Sequence, residues 1–154
     1  MPALFDFLRY ASVAALGVFA GAMLTEGGVL VPFWRALAPA EFLRWYAANA
    51  ERLLAFFSPL TSVSAVVALL AAIGSLWEGH PGRWWAVVAA TLVVVTVASF
   101  FLYFEQANTS FATATIAVDA VPAELARWST WHNARTALSV LALGAALLAV
   151  RQSP

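Results

Sequence analysis

One stretch near the C-terminus, residues 127–151, reads RWSTWHNARTALSVLALGAALLAVR. Fifteen uncharged residues separate Arg135 from Arg151. At about 1.5 Å rise per residue they span roughly 22 Å, against a hydrocarbon core of about 30 Å. A helix that crosses a bilayer here must carry Arg135 below the membrane surface and His132 close to it. Because ionisable groups at that depth usually face a bundle interior or a wet cavity, the stretch predicts a membrane span with a polar site at one end.

The composition of the chain is typical of a polytopic membrane protein. Of 154 residues, 63% are hydrophobic and 10% are charged, and the mean hydropathy is +0.84. Eight arginines balance eight acidic residues, so nothing in the charge indicates binding to nucleic acid. Cysteine is absent, which excludes disulfides and thiolate metal sites.

Four apolar segments predict an all-α membrane protein with one domain covering residues 1–154. We expect an antiparallel bundle of four transmembrane helices, at about residues 10–30, 56–77, 84–104 and 131–150. The first long connection, residues 40–55, has an amphipathic pattern that predicts an interfacial helix. Its apolar face would carry Phe42, Trp45, Tyr46 and Leu53.

Two further features concern the connections. Residues 78–82, EGHPG, predict a tight hairpin between the second and third spans, and we interpret His80 as a solvated loop residue there. Pro122 is suited to the first turn of a helix, which we expect to continue unbroken into the fourth span.

Polar residues from three distant segments fall toward the same end of this bundle: Glu26, Glu105, Asn108, His132 and Arg135. Trp128, His132 and Arg135 lie at helical spacing and share one face. Because an unpaired arginine at that depth is costly, we expect Arg135 to pair with Glu26 or Glu105.

At these residues the chain resembles the DUF1772 membrane protein family, also called the anthrone oxygenase family. The resemblance covers nearly the whole chain, and it is carried by Glu26, Trp34, Arg35, Asn108 and the W-x-x-W-H-N-x-R run of residues 128–135. The family includes fungal enzymes that oxidise anthrones to anthraquinones with O2 and are described as needing no added cofactor. The resemblance implies a membrane-embedded oxygenase or oxidase that acts on an apolar polycyclic phenolic substrate, without an organic cofactor.

The residue types suit that chemistry. An anthrone has an acidic CH2 whose anion reduces O2 directly. We expect His132 to be the base, since its ordinary pKa is about 6.5, and Arg135 to stabilise the oxyanion. Glu26 or Glu105 would orient the imidazole. Expected substrate contacts are the aromatic residues Trp128, Trp131, Trp34 and Tyr103 and the amides Asn108 and Asn133.

Two other interpretations stay open at this stage. The chain could be a metal-dependent membrane oxidoreductase in which His132, Glu26 and Glu105 bind the metal, although no E-x-x-H spacing supports it. It could also be a non-enzymatic small-molecule binder or an accessory subunit. In each case the expected setting is a lipid bilayer, such as a bacterial inner membrane, with a homo-oligomer left open.

Overall fold

The computed structural model describes residues 2–152, and the regular elements of that range are all helices, with no strand among them. Helix α1, Pro2–Thr25, continues through a π-helical turn, Glu26–Leu30, into α2, Val31–Ala36. Helix α3 spans Pro39–Trp77. Helix α4, Arg83–Ser99, continues through a second π-helical turn, Phe100–Phe104, into α5, Glu105–Ala112. A 3-10 turn, Val118–Ala120, leads into α6, Val121–Arg151.

Four helical stretches are long and apolar enough to cross a membrane: Ala3–Ala36, Pro39–Trp77, Arg83–Ala112 and Val118–Arg151. The prediction of an all-helical chain with four such stretches is confirmed. The chain is therefore built as a multi-pass membrane protein. The unbroken helix expected to begin near Pro122 is also confirmed, because α6 places Pro122 in its first turn, where a missing N–H is tolerated.

The structure does not separate the predicted interfacial segment, residues 40–55, from the second span. Both belong to α3, whose 39 residues correspond to roughly 58 Å of helix, well beyond a hydrocarbon core of about 30 Å. Pro59 therefore lies inside a continuous helix and not in a first turn. The buried side chains of Phe42 and Tyr46 pack the N-terminal half of α3 against the rest of the protein.

Small residues allow the four long helices to pack closely. Helix α1 contacts α3 and α6, and α4 contacts the same two helices. Alanines make up most of the buried positions where α3, α4 and α6 meet, and Leu16, Phe19 and Met23 of α1 fill the remaining space. Small side chains bring helix backbones together where lipid supplies no hydrophobic driving force.

Two ion pairs of the buried Arg9 lie at the end of the bundle that carries the hairpin. Arg9 is 4% exposed, and its guanidinium contacts Asp6 and, at 3.2 Å, Glu78. His80 in the hairpin is 7% exposed, so the interpretation of it as a solvated residue was wrong. Its Nδ1 accepts a hydrogen bond from the Gly82 N–H at 3.0 Å, which turns the ring into the hairpin. Burial, together with the positive charge of Arg9, lowers the pKa of His80.

The lowered pKa predicts acid sensitivity at this hairpin. Because the folded state favours neutral His80, its contribution to stability is complete above the unfolded pKa of about 6.5 and is lost as the pH falls below it. In His80→Asn, the side-chain oxygen can still accept from the Gly82 N–H but cannot titrate. We expect the thermal midpoint in detergent to fall more for the wild type than for His80→Asn between pH 7.5 and pH 5. Identical pH dependence in the two proteins would contradict this role.

Candidate functional site

Both π-helical turns lie beside the same cavity, and each changes which residues of the following helix face it. In each turn a backbone N–H bonds to the carbonyl five residues earlier, Val31 to Glu26 and Glu105 to Phe100. One extra residue per turn rotates the downstream face by about 100°. Glu26 and Phe100, the first residues of the two turns, line the cavity. Beyond each turn, a different face of the helix is directed at the cavity. Single π-helical turns often occur at functional sites.

The cavity measures about 550 Å³ and lies between α3, the two π-containing segments and α6. This volume is within the range of roughly 300–1,000 Å³ that small-molecule sites occupy. Aromatic side chains supply much of its wall, namely those of Tyr46, Phe57, Phe100, Phe101 and Trp128. Charged and amide groups are few: Glu26, Glu51, Glu105, Asn108 and Arg135. Such a wall suits an apolar ligand that carries a polar group.

The Glu26 carboxylate lines the cavity, and His132 lies directly behind it. His132 is fully buried and does not line the cavity. Its Nδ1 is 3.5 Å from Oε2 of Glu26, and its Nε2 is 3.0 Å from the backbone carbonyl oxygen of Met23. Gly27 makes this approach feasible, because a Cβ at that position would lie 3.1 Å from the His132 Nε2. The imidazole is thus held between α1 and α6.

These contacts constrain where the protons of the pair can lie. The carbonyl of Met23 can only accept, so Nε2 of His132 must carry a hydrogen. In a neutral ring Nδ1 is then an acceptor, and it has no hydrogen-bonding partner among residues 2–152; a carboxyl oxygen of Glu26 lies 3.5 Å away. Two acceptors cannot face each other favourably, so this geometry favours one proton between Glu26 and His132. With that proton, on the carboxyl or on the ring, the pair carries no net charge.

The Trp128 ring packs against His132 and forms part of the cavity wall. The two rings are stacked, with centroids 5.0 Å apart and an interplanar angle of 10°. The indole Nε1 donates to Oδ1 of Asn108 at 2.9 Å, which ties α6 to α5. Trp128 and Asn108 both line the cavity, so this contact shapes the wall beside the Glu26–His132 pair.

Arg135 is a buried cation without a hydrogen-bonding partner in the described part of the chain. It is 8% exposed and lines the cavity. Its Nε is buried and unpaired, and its guanidinium carbon lies 4.4 Å above the centroid of the Phe104 ring. The expected direct ion pair is not formed: within residues 2–152, no carboxylate oxygen comes within 4.0 Å of an Arg135 nitrogen. Glu26 is near enough for its charge to interact with Arg135 through space.

Other predicted site residues lie outside the cavity. Trp34 is buried in an aromatic cluster against Trp128, with ring centroids 5.3 Å apart. Trp131 stacks on Tyr103 at 5.2 Å, and the Tyr103 hydroxyl donates to Glu124 at 2.6 Å. Asn133 is exposed on the outer face of α6.

The structure does not assemble the proposed metal ligands. Glu105 is exposed and lines the cavity. Within residues 2–152, no three His, Cys, Asp or Glu side chains lie close enough together to hold a metal ion. Glu26 and His132 are therefore joined as a pair and not as part of a three-ligand set.

Sequence reasoning missed the wall that α3 contributes. Tyr46, Phe57 and Thr61 of this helix line the cavity, whereas the sequence assigned Tyr46 to the apolar face of an interfacial helix. Polar residues inside an apolar span were the available indication, since Ser58, Thr61 and Ser62 also line the cavity. Comparison with protein-family models, curated proteins and solved structures finds no match to the chain.

The close approach at Gly27 leads to a matched pair of substitutions. In Gly27→Ala the new methyl would press on the His132 ring and displace it from the Met23 carbonyl. In Gly28→Ala, within the same π-helical turn, nothing lies within 4 Å of the added Cβ. We expect Gly27→Ala to be less stable than Gly28→Ala by about 1–3 kcal/mol, as for other overpacked sites. Thermal unfolding in detergent measures the difference, and equal stabilities would show that the ring is not confined there.

Proposed function

We propose that this protein is a membrane-embedded, O2-dependent oxygenase or oxidase that acts on an apolar polycyclic phenolic substrate of the anthrone type. The observation that carries the proposal is the buried, unpaired guanidinium of Arg135, placed in an aromatic cavity beside Glu26. Removing a proton from a weak carbon acid needs a proton acceptor and a cation for the resulting anion. The cavity offers both, in a wall that suits flat rings.

The proton acceptor is His132, acting through Glu26. His132 does not line the cavity, so a substrate proton must first reach the Glu26 carboxyl. As Glu26 takes that proton, its own shared proton passes to Nδ1 of His132, 3.5 Å away. The ring becomes an imidazolium that still donates through Nε2 to the Met23 carbonyl. Arg135 stabilises the negative charge that develops on the substrate oxygen.

The oxidation itself balances with O2 alone. The substrate anion gives electrons to O2, a carbon–oxygen bond forms, and the resulting peroxide takes back the proton held by the Glu26–His132 pair. Loss of the second C–H proton with cleavage of the O–O bond then releases water. In sum, CH2 and O2 become C=O and H2O, with carbon oxidised and oxygen reduced.

We place the four long helices as antiparallel spans in a bacterial inner membrane. The N-terminal half of α3, residues 40–55, then lies in the interface, on the side that holds the cavity. Leu54 and Phe101 line the cavity and are 59% and 68% exposed, so an apolar substrate can enter sideways from lipid between α3 and the π-containing segment before α5. All groups named here belong to one chain, so the site does not need a homo-oligomer.

The test is oxygen consumption by purified, metal-stripped protein with emodin anthrone, corrected for spontaneous oxidation. We expect His132→Gln to lose at least about a hundredfold in turnover, because a general base typically contributes 10²–10⁴-fold. Glu26→Gln should lose activity similarly, because its amide cannot pass a proton to His132. The wild-type rate should fall in acid, once the pair holds a second proton.

His80→Asn is the matched control, since the chain has two histidines and His80 lies in the hairpin between α3 and α4, outside the site. It should keep the wild-type rate. Full activity in His132→Gln would rule out the relay. Activity that returns only on addition of one metal would favour the metal-dependent alternative. If neither the metal-stripped nor the metal-loaded protein turns over the substrate, the non-enzymatic binding protein is favoured.

A further inference from the structure

The single cation that lines the cavity, Arg135, has no ion-pair partner within residues 2–152, and this identifies a class of ligand. The contact between Glu26 and Nδ1 of His132 favours one proton on that pair, with which the pair is neutral. Arg135 is permanently charged and, within the described part of the chain, contacts an aromatic ring but no hydrogen-bond acceptor. Arg135 therefore presents an unpaired, buried positive charge to the cavity. Ionised groups that deep normally meet a counterion.

We propose that the cavity binds flat aromatic monoanions in their ionised form, with a carboxylate or phenolate against Arg135 and the rings among the aromatic side chains of the wall. This inference rests on the proposed function, because it names the ionic form in which that site takes a substrate, product or inhibitor. It requires no chemistry on the ligand, so it can be tested in the absence of turnover.

Three features favour an aromatic anion over other anions. The guanidinium fork matches the planar oxygens of a carboxylate. Aromatic side chains line the wall from two different helices, Tyr46 and Phe57 on α3 and Trp128 on α6. The exposed lining residues Leu54 and Phe101 provide an apolar entrance, which excludes strongly hydrated anions in favour of amphiphilic ones.

The acidic residues at the cavity do not neutralise Arg135. Glu51 and Glu105 line the cavity but lie at exposed positions, and neither forms an ion pair with Arg135 within the described chain. Glu26 is the remaining acid, and its contact with Nδ1 of His132 favours a protonated pair. A bound monoanion is therefore the counterion that completes the site.

The experiment compares two probes of nearly the same shape, 9-anthracenecarboxylate and the neutral 9-anthracenemethanol. Binding is followed by energy transfer from tryptophan in phosphatidylcholine nanodiscs at pH 7.5 under nitrogen, with empty discs correcting for partition into lipid. The wild type should bind the carboxylate at least about tenfold more tightly than the alcohol, as a charge-assisted contact implies. Equal affinities would overturn the proposal.

Variants assign the preference to Arg135. In Arg135→Gln the two probes should bind within about twofold of each other, and Arg135→Lys should restore part of the preference. Arg127→Gln removes an exposed cation on the same helix, which lies over the Tyr103 ring, and it should behave like the wild type. A preference that survives in Arg135→Gln, or is lost in Arg127→Gln, would overturn the assignment. If Arg135→Gln does not fold, the other two variants still test the assignment. Arg135→Lys should prefer the carboxylate less strongly than the wild type does, and Arg127→Gln should show the wild-type preference.

Glu26→Gln tests the shared proton independently. If the Glu26–His132 pair is neutral, the uncharged amide leaves the anion preference within about twofold of wild type. A preference that appears only in Glu26→Gln would mean that ionised Glu26 already compensates Arg135, which contradicts the proposal. Laurate that competes as well as the aromatic acid would replace the aromatic class with fatty acids. Anthrone oxidation is measured separately, so failure of the enzymatic proposal leaves these binding results interpretable.

Discussion

The hydrogen bond from the His132 ring to the backbone carbonyl of Met23 sets the proton arrangement of the site. It joins α6 to α1 at 3.0 Å inside the bundle, where a low dielectric strengthens it. Because the carbonyl can only accept, the bond assigns the ring hydrogen to Nε2 and turns Nδ1 toward Glu26. That orientation favours a proton between Glu26 and His132, and a protonated pair would leave Arg135 without a counterion among the described residues.

That contact depends on the course of α1, not only on the presence of a histidine. The π-helical turn begins three residues after Met23, and Gly27 within it leaves room for the ring. Irregular backbone inside a membrane is tolerated where side chains satisfy its polar groups. The second π-helical turn, Phe100–Phe104, has no glycine or proline, and four of its five residues are aromatic. It turns Glu105 and Asn108 toward the cavity, so both irregular turns serve the same site.

The sequence was informative where the helix is regular. Along α6 the 3.6-residue period holds from Val121 to Arg151, so the shared buried face of Trp128, His132 and Arg135 could be predicted. From a π-helical turn onward the period no longer gives the face, and Tyr103, inside the second turn, stacks on Trp131 and does not line the cavity. An amphipathic pattern also cannot distinguish a helix face that meets lipid headgroups from one that packs on protein, which is why Tyr46 was assigned to the interface.

Two buried arginines in this bundle show that an unpaired cation is not a general consequence of the fold. Arg9 is 4% exposed and Arg135 is 8% exposed, so both lose most of their hydration. Arg9 contacts two carboxylates, Asp6 and Glu78, and ties the N-terminal helix to the hairpin. Arg135 has the Phe104 ring beneath it, while Glu26 lies against the His132 ring and forms no ion pair with Arg135. A purely structural arginine would gain from the arrangement at Arg9, so the different arrangement at Arg135 is best explained by an anion that comes from outside the chain.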